Sequence, residues 1–555
     1  MTPSSGDNAV VGPCPARPGP PGRRELALVG ALLLAIAVAY LVSVPGVLLL
    51  NPDTAVYMGL GRSLARGDGY TFNFKPYAKY PPVFPAMVSA VFLAAGEHIW
   101  LLQAMVALCG VGALLAAYGL VRGRAGPGAA AGVVVLSALS SWFWAHASVY
   151  LRADVPYAFV SLLALWAAER QLRAPRLSWM RWAGVAALVV VALYTHMVGV
   201  ALVAGISLGA LCARAAGRPA WRRLAAAAMV GVAGLAATGY WLYRGRDISN
   251  PMANYGKHAS VLPRGQMGSE ASAADRAALR LQEWLRTPLN MDDEKATRGL
   301  ALVACAVLLV PGLAVGFGRW RSGAEFYLCA YFAVSTFAGG PTGGARYVVP
   351  VVPLLFYYGY ESLRVLGGAV GAAFGPRGRR VVPRVVLGVA VVMIASYGVY
   401  VRAKGKRGAS KFEAERRERD RNRNTTWRAA AARVRREMAE VDAPLVYPGS
   451  GNTWAKLHYF ADVPVAEVRF DHVGARALRA MAEQGADFVL DDVENEHCRR
   501  RLGPLLRDYP RCFRQVEEFR EGETRLVLYR IDRAELEAAL RELEEAGPPE
   551  PREGA

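Results

Sequence analysis

The residues best suited to chemistry follow the first long apolar run. Asn51-Pro52-Asp53-Thr54-Ala55-Val56-Tyr57 puts a carboxylate at that boundary; a Gly67-Asp68-Gly69-Tyr70 turn and the segment Tyr77-Ala78-Lys79-Tyr80-Pro81-Pro82-Val83-Phe84-Pro85 come next. A carboxylate at the edge of a bilayer is partly desolvated, which raises its pKa toward values useful for taking a proton. Asp53 is therefore a candidate general base. Asp is also a good helix N-cap, and residues 53–66 read as an amphipathic helix with Asp53, Tyr57 and Gly61 on one face, so both roles stay open. Tyr57 is a substrate-site candidate or a packing residue. Lys79 offers a cation, for an anion or simply for the membrane interface. Two later segments add to the set. Tyr150-Leu151-Arg152-Ala153-Asp154-Val155-Pro156 carries Arg152 and Asp154, either a structural ion pair at a span end or substrate-site residues. Arg346 and Tyr347 follow the Gly-rich run Gly339-Gly340-Pro341-Thr342-Gly343-Gly344. His146 and His196, near span ends, read as structural histidines, and Glu97 and His98 carry no usable signal.

The elements that position these residues are membrane spans. The chain has 555 residues, 54% of them hydrophobic, with apolar blocks separated by short arginine-rich breaks. Blocks of 18 or more apolar residues have the length of a bilayer span. Spans are expected near 26–50, 99–121, 126–145, 155–172, 182–197, 198–213, 224–243, 299–317, 323–338, 347–363 and 385–402, about eleven in all. The stretch 182–213 is broken at Tyr194-Thr195-His196 and reads as two short spans. Residues 83–95 are apolar but short, suited to lying in the interface.

Orientation follows from the short loops. Arg23/Arg24, Arg122/Arg124, Arg170/Arg173/Arg176/Arg181, Arg214/Arg218/Arg222/Arg223, Arg319/Arg321 and Arg364/Arg377/Arg379/Arg380/Arg384 fall on one side, which the positive-inside bias makes the cytoplasm. The N-terminus is then cytoplasmic, and 51–98, 244–298 and the C-terminal part lie outside. Arg402, Lys404, Lys406 and Arg407 flank the last span on the outer side, so the charge rule ties there and its direction rests on the parity of the count. The net charge of +20 is explained by these loops; no aromatic-interleaved basic module for nucleic acid is present.

Residues 1–25 read as a Pro/Gly-rich cytoplasmic tail, 26–402 as the membrane domain and 403–440 as a charged linker helix near the membrane surface. From 441 to 535 the pattern is that of a small α/β domain, with strands at Ala443–Tyr447, Val465–Phe470, Ala486–Leu490 and Arg525–Ile531 and helices near 452–460, 472–484 and 498–507; a charged, Pro-rich tail ends the chain at 536–555. Cys498 and Cys512 fall in this domain and, outside the cytoplasm, are as open to a disulfide as to two separate thiols. No cysteine or histidine set has zinc spacing, and no Asp-x-Asp pair is present.

Asp53 just past the first span, Tyr57 a turn later, the Gly-x-Gly-Tyr turn and Lys79-Tyr80-Pro81-Pro82 together resemble the first outer loop of the GT-C membrane glycosyltransferases, nearest to the bacterial aminoarabinose-transferase and protein-mannosyltransferase-like group. The resemblance covers roughly residues 26–400 and is strongest in this loop; Tyr80 and Val83 depart from the proline motif. It implies an α-helical polytopic membrane protein with a soluble outer domain that takes a sugar from a polyprenyl-phosphate carrier. It assigns the essential aspartate to Asp53, a second acidic residue to Asp154, the donor-phosphate lysine to Lys79 and a late tyrosine near the phosphate to Tyr347; Arg346 suits the same anion by type. A phosphate monoester leaving group needs no proton donor, so one carboxylate suffices for inversion. A monophosphate can be held by cations alone, so a divalent metal is possible but not expected. The implied partners are the donor, the bilayer and a lipid, glycan or protein acceptor, and the implied location is a bacterial cell membrane. A transporter or flippase is the principal rival; it usually shows inverted repeats and midplane charges, and neither is visible here.

Overall fold

The computed structural model describes residues 19–46, 51–174, 178–213, 220–248, 309–337, 345–375, 381, 424–441, 445–448, 451–466, 475–493, 495–521 and 524–545. The chain divides into two compact units. One comprises Met1–Gly46, Ala78–Phe84 and Trp100–Arg407; the other comprises Val47–Tyr77, Pro85–Ile99 and Gly408–Ala555.

The described helices up to residue 373 are α1 (Arg23–Val42), α2 (Pro52–Arg66), α3 (Val83–Ala95), α4 (Ile99–Ala125), α5 (Pro127–Leu139), α6 (Ser141–Ser148), α7 (Asp154–Arg173), α8 (Trp179–Thr195), α9 (Val200–Cys212), α10 (Ala220–Arg244), α11 (Val310–Arg319), α12 (Gly323–Phe337) and α13 (Val352–Ala373). Among the described residues three helices, α1, α4 and α10, are long and apolar enough to cross a membrane, or four if α5 and α6 count as one bent span. The stretches 155–172, 182–197, 198–213 and 347–363 and residues 323–337 lie largely in α7, α8, α9, α13 and α12 respectively, but those helices do not reach the length and hydropathy of a span on their own. The stretch 385–402 and most of 299–317 lie outside the described residues. The span expected at 126–145 is not continuous: α5 and α6 are bent by 70° where Ser140 takes an extended ψ of 123°. A polar Ser140-Ser141 step before the bulky Trp142-Phe143-Trp144 run breaks the ladder there. The 182–213 stretch breaks at His196, where a 3-10 turn, Met197–Gly199, joins α8 to α9.

Small residues bring α9 against α12. A Cβ on Gly205 would lie 2.6 Å from Tyr327 Cα, and one on Gly209 would lie 2.3 Å from Gly323 N. This Gly-x-x-x-Gly spacing permits the close backbone approach that stands in for hydrophobic drive between helices in lipid. At the arginine-bearing end of the bundle, Arg124 at the end of α4 is fully buried. It bonds Glu169 on α7, donates to Glu325 Oε1 on α12 at 2.7 Å and donates to the Tyr358 hydroxyl on α13 at 3.2 Å. One guanidinium thus ties four helices.

In the second unit, α2 begins as its sequence dictates. The Asn51 side chain accepts the Thr54 N–H at 3.0 Å, Pro52 takes the first helical position, and Gly67 (φ 82°) ends the helix in the left-handed conformation. The cap is therefore Asn51, and Asp53 is not the capping residue that its type allowed. A short hairpin of β1 (Thr71–Phe72) and β2 (Lys75–Pro76) follows, turned by Asn73 and Phe74, both at positive φ. After a helix over 424–438 (α14), the remaining elements are β3 (Val446–Pro448), α15 (Gly451–Ala461), α16 (Ala475–Gln484), β4 (Phe488–Asp492), α17 (Glu496–Asp508), β5 (Phe513–Glu521), β6 (Thr524–Ile531) and α18 (Arg533–Glu545). The sheet order is β3-β4-β6-β5, with β3 and β4 parallel and the other pairs antiparallel. Leu478 and Met481 of α16, Leu502 and Leu505 of α17 and Leu536 of α18 cover one face with Val489.

Residues 443–444 and 467–470 lie outside the described residues, and Val465 makes one bridge to Val446. The charged sequence of β5, Phe513-Arg514-Gln515-Val516-Glu517-Glu518-Phe519, is a strand that the pattern did not announce. Only Phe513 and Phe519 of its nine residues are buried, so the apolar alternation is weak. Cys498 and Cys512 are both buried, and no disulfide joins them; Cys512 sits in the apolar core of this unit as a small hydrophobe.

Candidate active site

In the first unit the site is built around Asp154. It is the first residue of α7, where the helix dipole favours a carboxylate, and it is buried. The rest of α7 continues as an apolar helix that anchors it. His146, near the end of α6, brings Nδ1 to 3.7 Å from Asp154 Oδ2. The 3-10 turn Ala345–Val351 packs on α6 and α7 and carries Arg346 and Tyr347. Arg346 donates from Nη2 to the Tyr347 hydroxyl at 3.1 Å, with its guanidinium 5.0 Å from that ring's centroid. Its charge acts on both Asp154 and His146.

His196, at the break between α8 and α9, lies edge-on to Tyr347 with centroids 6.1 Å apart and 5.7 Å from the Tyr157 ring. The Tyr157 and Tyr327 hydroxyls are 3.2 Å apart, and Tyr331 stacks on Tyr157 at 6.3 Å. The result is one carboxylate, two imidazoles, one guanidinium and several phenols. Such a set can accept a proton, hold an anion and order a polyhydroxyl ligand.

Arg152 does not pair with Asp154. Its guanidinium lies 5.2 Å from the Tyr150 ring centroid, and it meets no carboxylate among the described residues. His146 takes the carboxylate because α6 returns alongside the start of α7. Lys79 is in the same unit as Asp154. Its Nζ lies 5.6 Å from the Tyr80 ring centroid, and Trp241 on α10 donates from Nε1 to the carbonyl of Ala78, one residue before it, at 3.0 Å.

Asp53 and Tyr57 belong to the second unit. Asp53 is the second residue of α2 and half-buried, and Tyr57 is buried one turn later. Tyr77 is buried among Tyr70, Asp53 and Tyr57; burial first, then these neighbours, pushes its phenol well above the ordinary range, so it stays protonated. The sequence thus pointed to Asp53, Tyr57, Lys79, Asp154, Arg346 and Tyr347. The structure brings Asp154, Arg346 and Tyr347 together with His146, His196, Tyr157 and Tyr327, and sets Tyr77 by Asp53. In the sequence the two histidines read as structural, and no spacing signal marks the tyrosines, because the helices carrying them meet only in three dimensions. Among the described residues no group of three or more His, Cys, Asp or Glu is arranged to hold a metal ion.

No protein-family model matches the chain, and no curated protein matches it. Solved structures do. ArnT, the aminoarabinose transferase of Cupriavidus metallidurans, in its apo state is 18% identical, with 92% of this chain and 98% of that one covered at a TM-score of 0.55. The same protein bound to undecaprenyl phosphate is 17% identical, with 91% and 97% covered at 0.54. The archaeal oligosaccharyltransferase AglB of Archaeoglobus fulgidus, in complex with an inhibitory peptide and a dolichol-phosphate, is 12% identical, with 91% and 74% covered at 0.52. These neighbours are GT-C glycosyltransferases, and along nine-tenths of its length the chain has the GT-C fold.

Proposed function

We propose that the protein is a multi-pass membrane glycosyltransferase that moves a single sugar from a polyprenyl-phosphate carrier to a hydroxyl of a lipid, glycan or protein acceptor, with inversion, at the outer face of a bacterial cell membrane. Asp53 takes the proton from the acceptor hydroxyl. The acceptor oxygen bonds to the anomeric carbon as the bond from that carbon to the phosphate oxygen breaks, and the polyprenyl phosphate leaves carrying the electron pair. Lys79, Arg346 and Tyr347 hold the charge that grows on the phosphate, an effect that a low dielectric strengthens. Asp154, with His146, is the second acidic group of the site, and Tyr57 and Arg152 contact substrate. The membrane part is 26–402 and the soluble outer part 441–535.

The supporting observation is the convergence of Asp154, His146, Arg346 and Tyr347 in a fold shared, nearly end to end, with a protein solved with undecaprenyl phosphate bound. The sugar moved by ArnT is a property of that protein and is not carried over here.

The test is transfer of radiolabelled sugar from a panel of polyprenyl-phosphate sugars into lipid and glycan fractions of membranes holding the wild type or Asp53→Asn. The expected loss in the variant is about 10²- to 10⁴-fold, the range for removing a general base. Equal transfer by both would remove Asp53 as the base. Absence of transfer from every carrier would sink the reading and favour a transporter.

A further inference from the structure

Far from Asp154, at the other end of α7, a groove of about 560 Å³ opens between the start of α1, the end of α4 and the end of α7. Asp154 and Arg173 are the two ends of that helix, about 28 Å apart at 1.5 Å per residue. The groove has two chemically different halves. Deeper along the helices, Leu26, Val29 and Leu115 present apolar surface, and Leu26 and Leu115 are more than half exposed. At the rim stand Arg122, Arg170 and Arg173.

The three arginines are differently committed. Arg122 bonds both oxygens of Glu25 and donates to the Gly19 carbonyl at 2.9 Å. Arg173 donates to Glu169 Oε2 at 2.7 Å and to the Gly123 carbonyl. Arg170 is exposed, lies 5.2 Å over Trp166 and meets no carboxylate among the described residues. Trp166 lines the groove beneath it, an amphipathic ring of the kind enriched at membrane interfaces. Within the groove lining, three arginines face a single glutamate, Glu25.

We propose that this groove binds the headgroup and upper acyl chain of an anionic phospholipid from the leaflet at the arginine-bearing end of the bundle. The phosphate is held by Arg170 with Arg122 and Arg173, and the acyl chain lies along Leu26, Val29 and Leu115. The occupant must be both anionic and two-part. A free phosphate would leave the apolar half exposed, and a neutral lipid would leave Arg170 without a counter-ion. Basic pockets between helix ends suit anionic headgroups for these reasons. The site is separate from the one proposed for the sugar donor and does not depend on that reading.

The experiment is native mass spectrometry of the full chain in detergent, titrated in parallel with phosphatidylglycerol, phosphatidylcholine and undecaprenyl phosphate. The wild type is expected to retain phosphatidylglycerol over phosphatidylcholine by more than tenfold. Arg170→Gln, an exposed change that leaves every ion pair intact, should lower that preference about fivefold, the worth of one arginine at an anionic surface. Arg122→Gln with Arg170→Gln should abolish it, with melting temperature as the check on folding. The proposal is overturned by equal retention of the two phospholipids, by a preference that Arg170→Gln leaves unchanged, or by undecaprenyl phosphate displacing phosphatidylglycerol from the wild type but not from Arg170→Gln.

Discussion

Asn73 and His458 are locked to each other across most of the chain. The Asn73 backbone N–H donates to His458 Nε2 at 3.0 Å. The Asn73 side chain brackets Val465, donating to its carbonyl at 2.7 Å and accepting its N–H at 2.8 Å. With Nε2 an acceptor, Nδ1 carries the proton and donates to the Val463 carbonyl at 3.2 Å. The Phe72 and Phe74 rings pack edge-on against the imidazole. The turn after the aspartate-bearing helix is thereby pinned to α15, and the chemistry proposed for Asp53 depends on a histidine that takes no part in it.

This lock predicts a pH dependence. Burial pushes His458 down to about 4, so the folded form holds it neutral. A base with a lowered folded pKa stabilises the fold fully above its unfolded value of about 6.5 and loses that contribution as pH falls toward 4. The contribution is on the order of 3 kcal/mol. Asp491 works the other way: burial and then Asp492 push it up to about 6, so its cost is absent below about 4 and complete above 6. Melting of the full chain should therefore show His458→Gln flattening the acid side of the profile. Asp491→Asn should raise the melting temperature at pH 7.5 and have little effect at pH 4.

Asn51 and Asp53 separate capping from catalysis. Asn51→Ala should cost about 1 kcal/mol of stability through the lost cap, while transfer per folded molecule stays near wild type. Asp53→Asn should do the reverse. Denaturation and single-turnover transfer on the same preparations decide it; equal loss of activity in both would point to the helix start as a whole.

Arg62 clamps α2 from the far side. It donates to both oxygens of Glu97, at 2.6 and 3.0 Å, and to the Tyr459 carbonyl at 2.8 Å, and its guanidinium lies 4.8 Å from the Tyr459 ring centroid. Arg62→Lys cannot reproduce this planar fork. It should lower transfer by a factor of roughly 10 through misplacement of α2 while KM for the donor changes little. Arg62→Lys with wild-type kcat would show that the clamp serves stability alone.

Arg124 makes a buried network in which removing one partner strands the others. Arg124→Leu leaves Glu325 uncompensated and Glu169 with Arg173 as its remaining cation, and should cost about 3–5 kcal/mol, enough to abolish folded protein on size exclusion. Arg124→Leu combined with Glu169→Gln and Glu325→Gln should restore much of the folded yield. No recovery in the triple variant would mean that the network does more than balance charge.

What the sequence made legible follows from the range of the interactions involved. Asp53 and Lys79 could be singled out because their signals are local: a boundary, a turn and paired prolines within about thirty residues. The break at His196 was legible for the same reason. The partnership of Asp154 with His146 was not, although only seven residues separate them, because it depends on how the short α6 packs against the start of α7. The Tyr157–Tyr327 contact joins α7 to α12 across 170 residues of sequence, a range no local pattern reports. Glu97 looked featureless until the fold set Arg62 against it, and β5 was hidden by the charge on its solvent face.

The docking of α2 on α15 also sets an order of events at the ribosome. Arg62 and its acceptor carbonyl on Tyr459 are 397 residues apart. At a synthesis rate of about 5–20 residues per second, the aspartate-bearing segment waits roughly 20 to 80 s for its partner after it has itself emerged. During that interval the apolar helices between them can insert and pack while the Asp53 segment remains unsupported. A nascent chain stalled anywhere before α15 would then be an inserted membrane protein without a completed site, so activity should switch on only once α15 has been made.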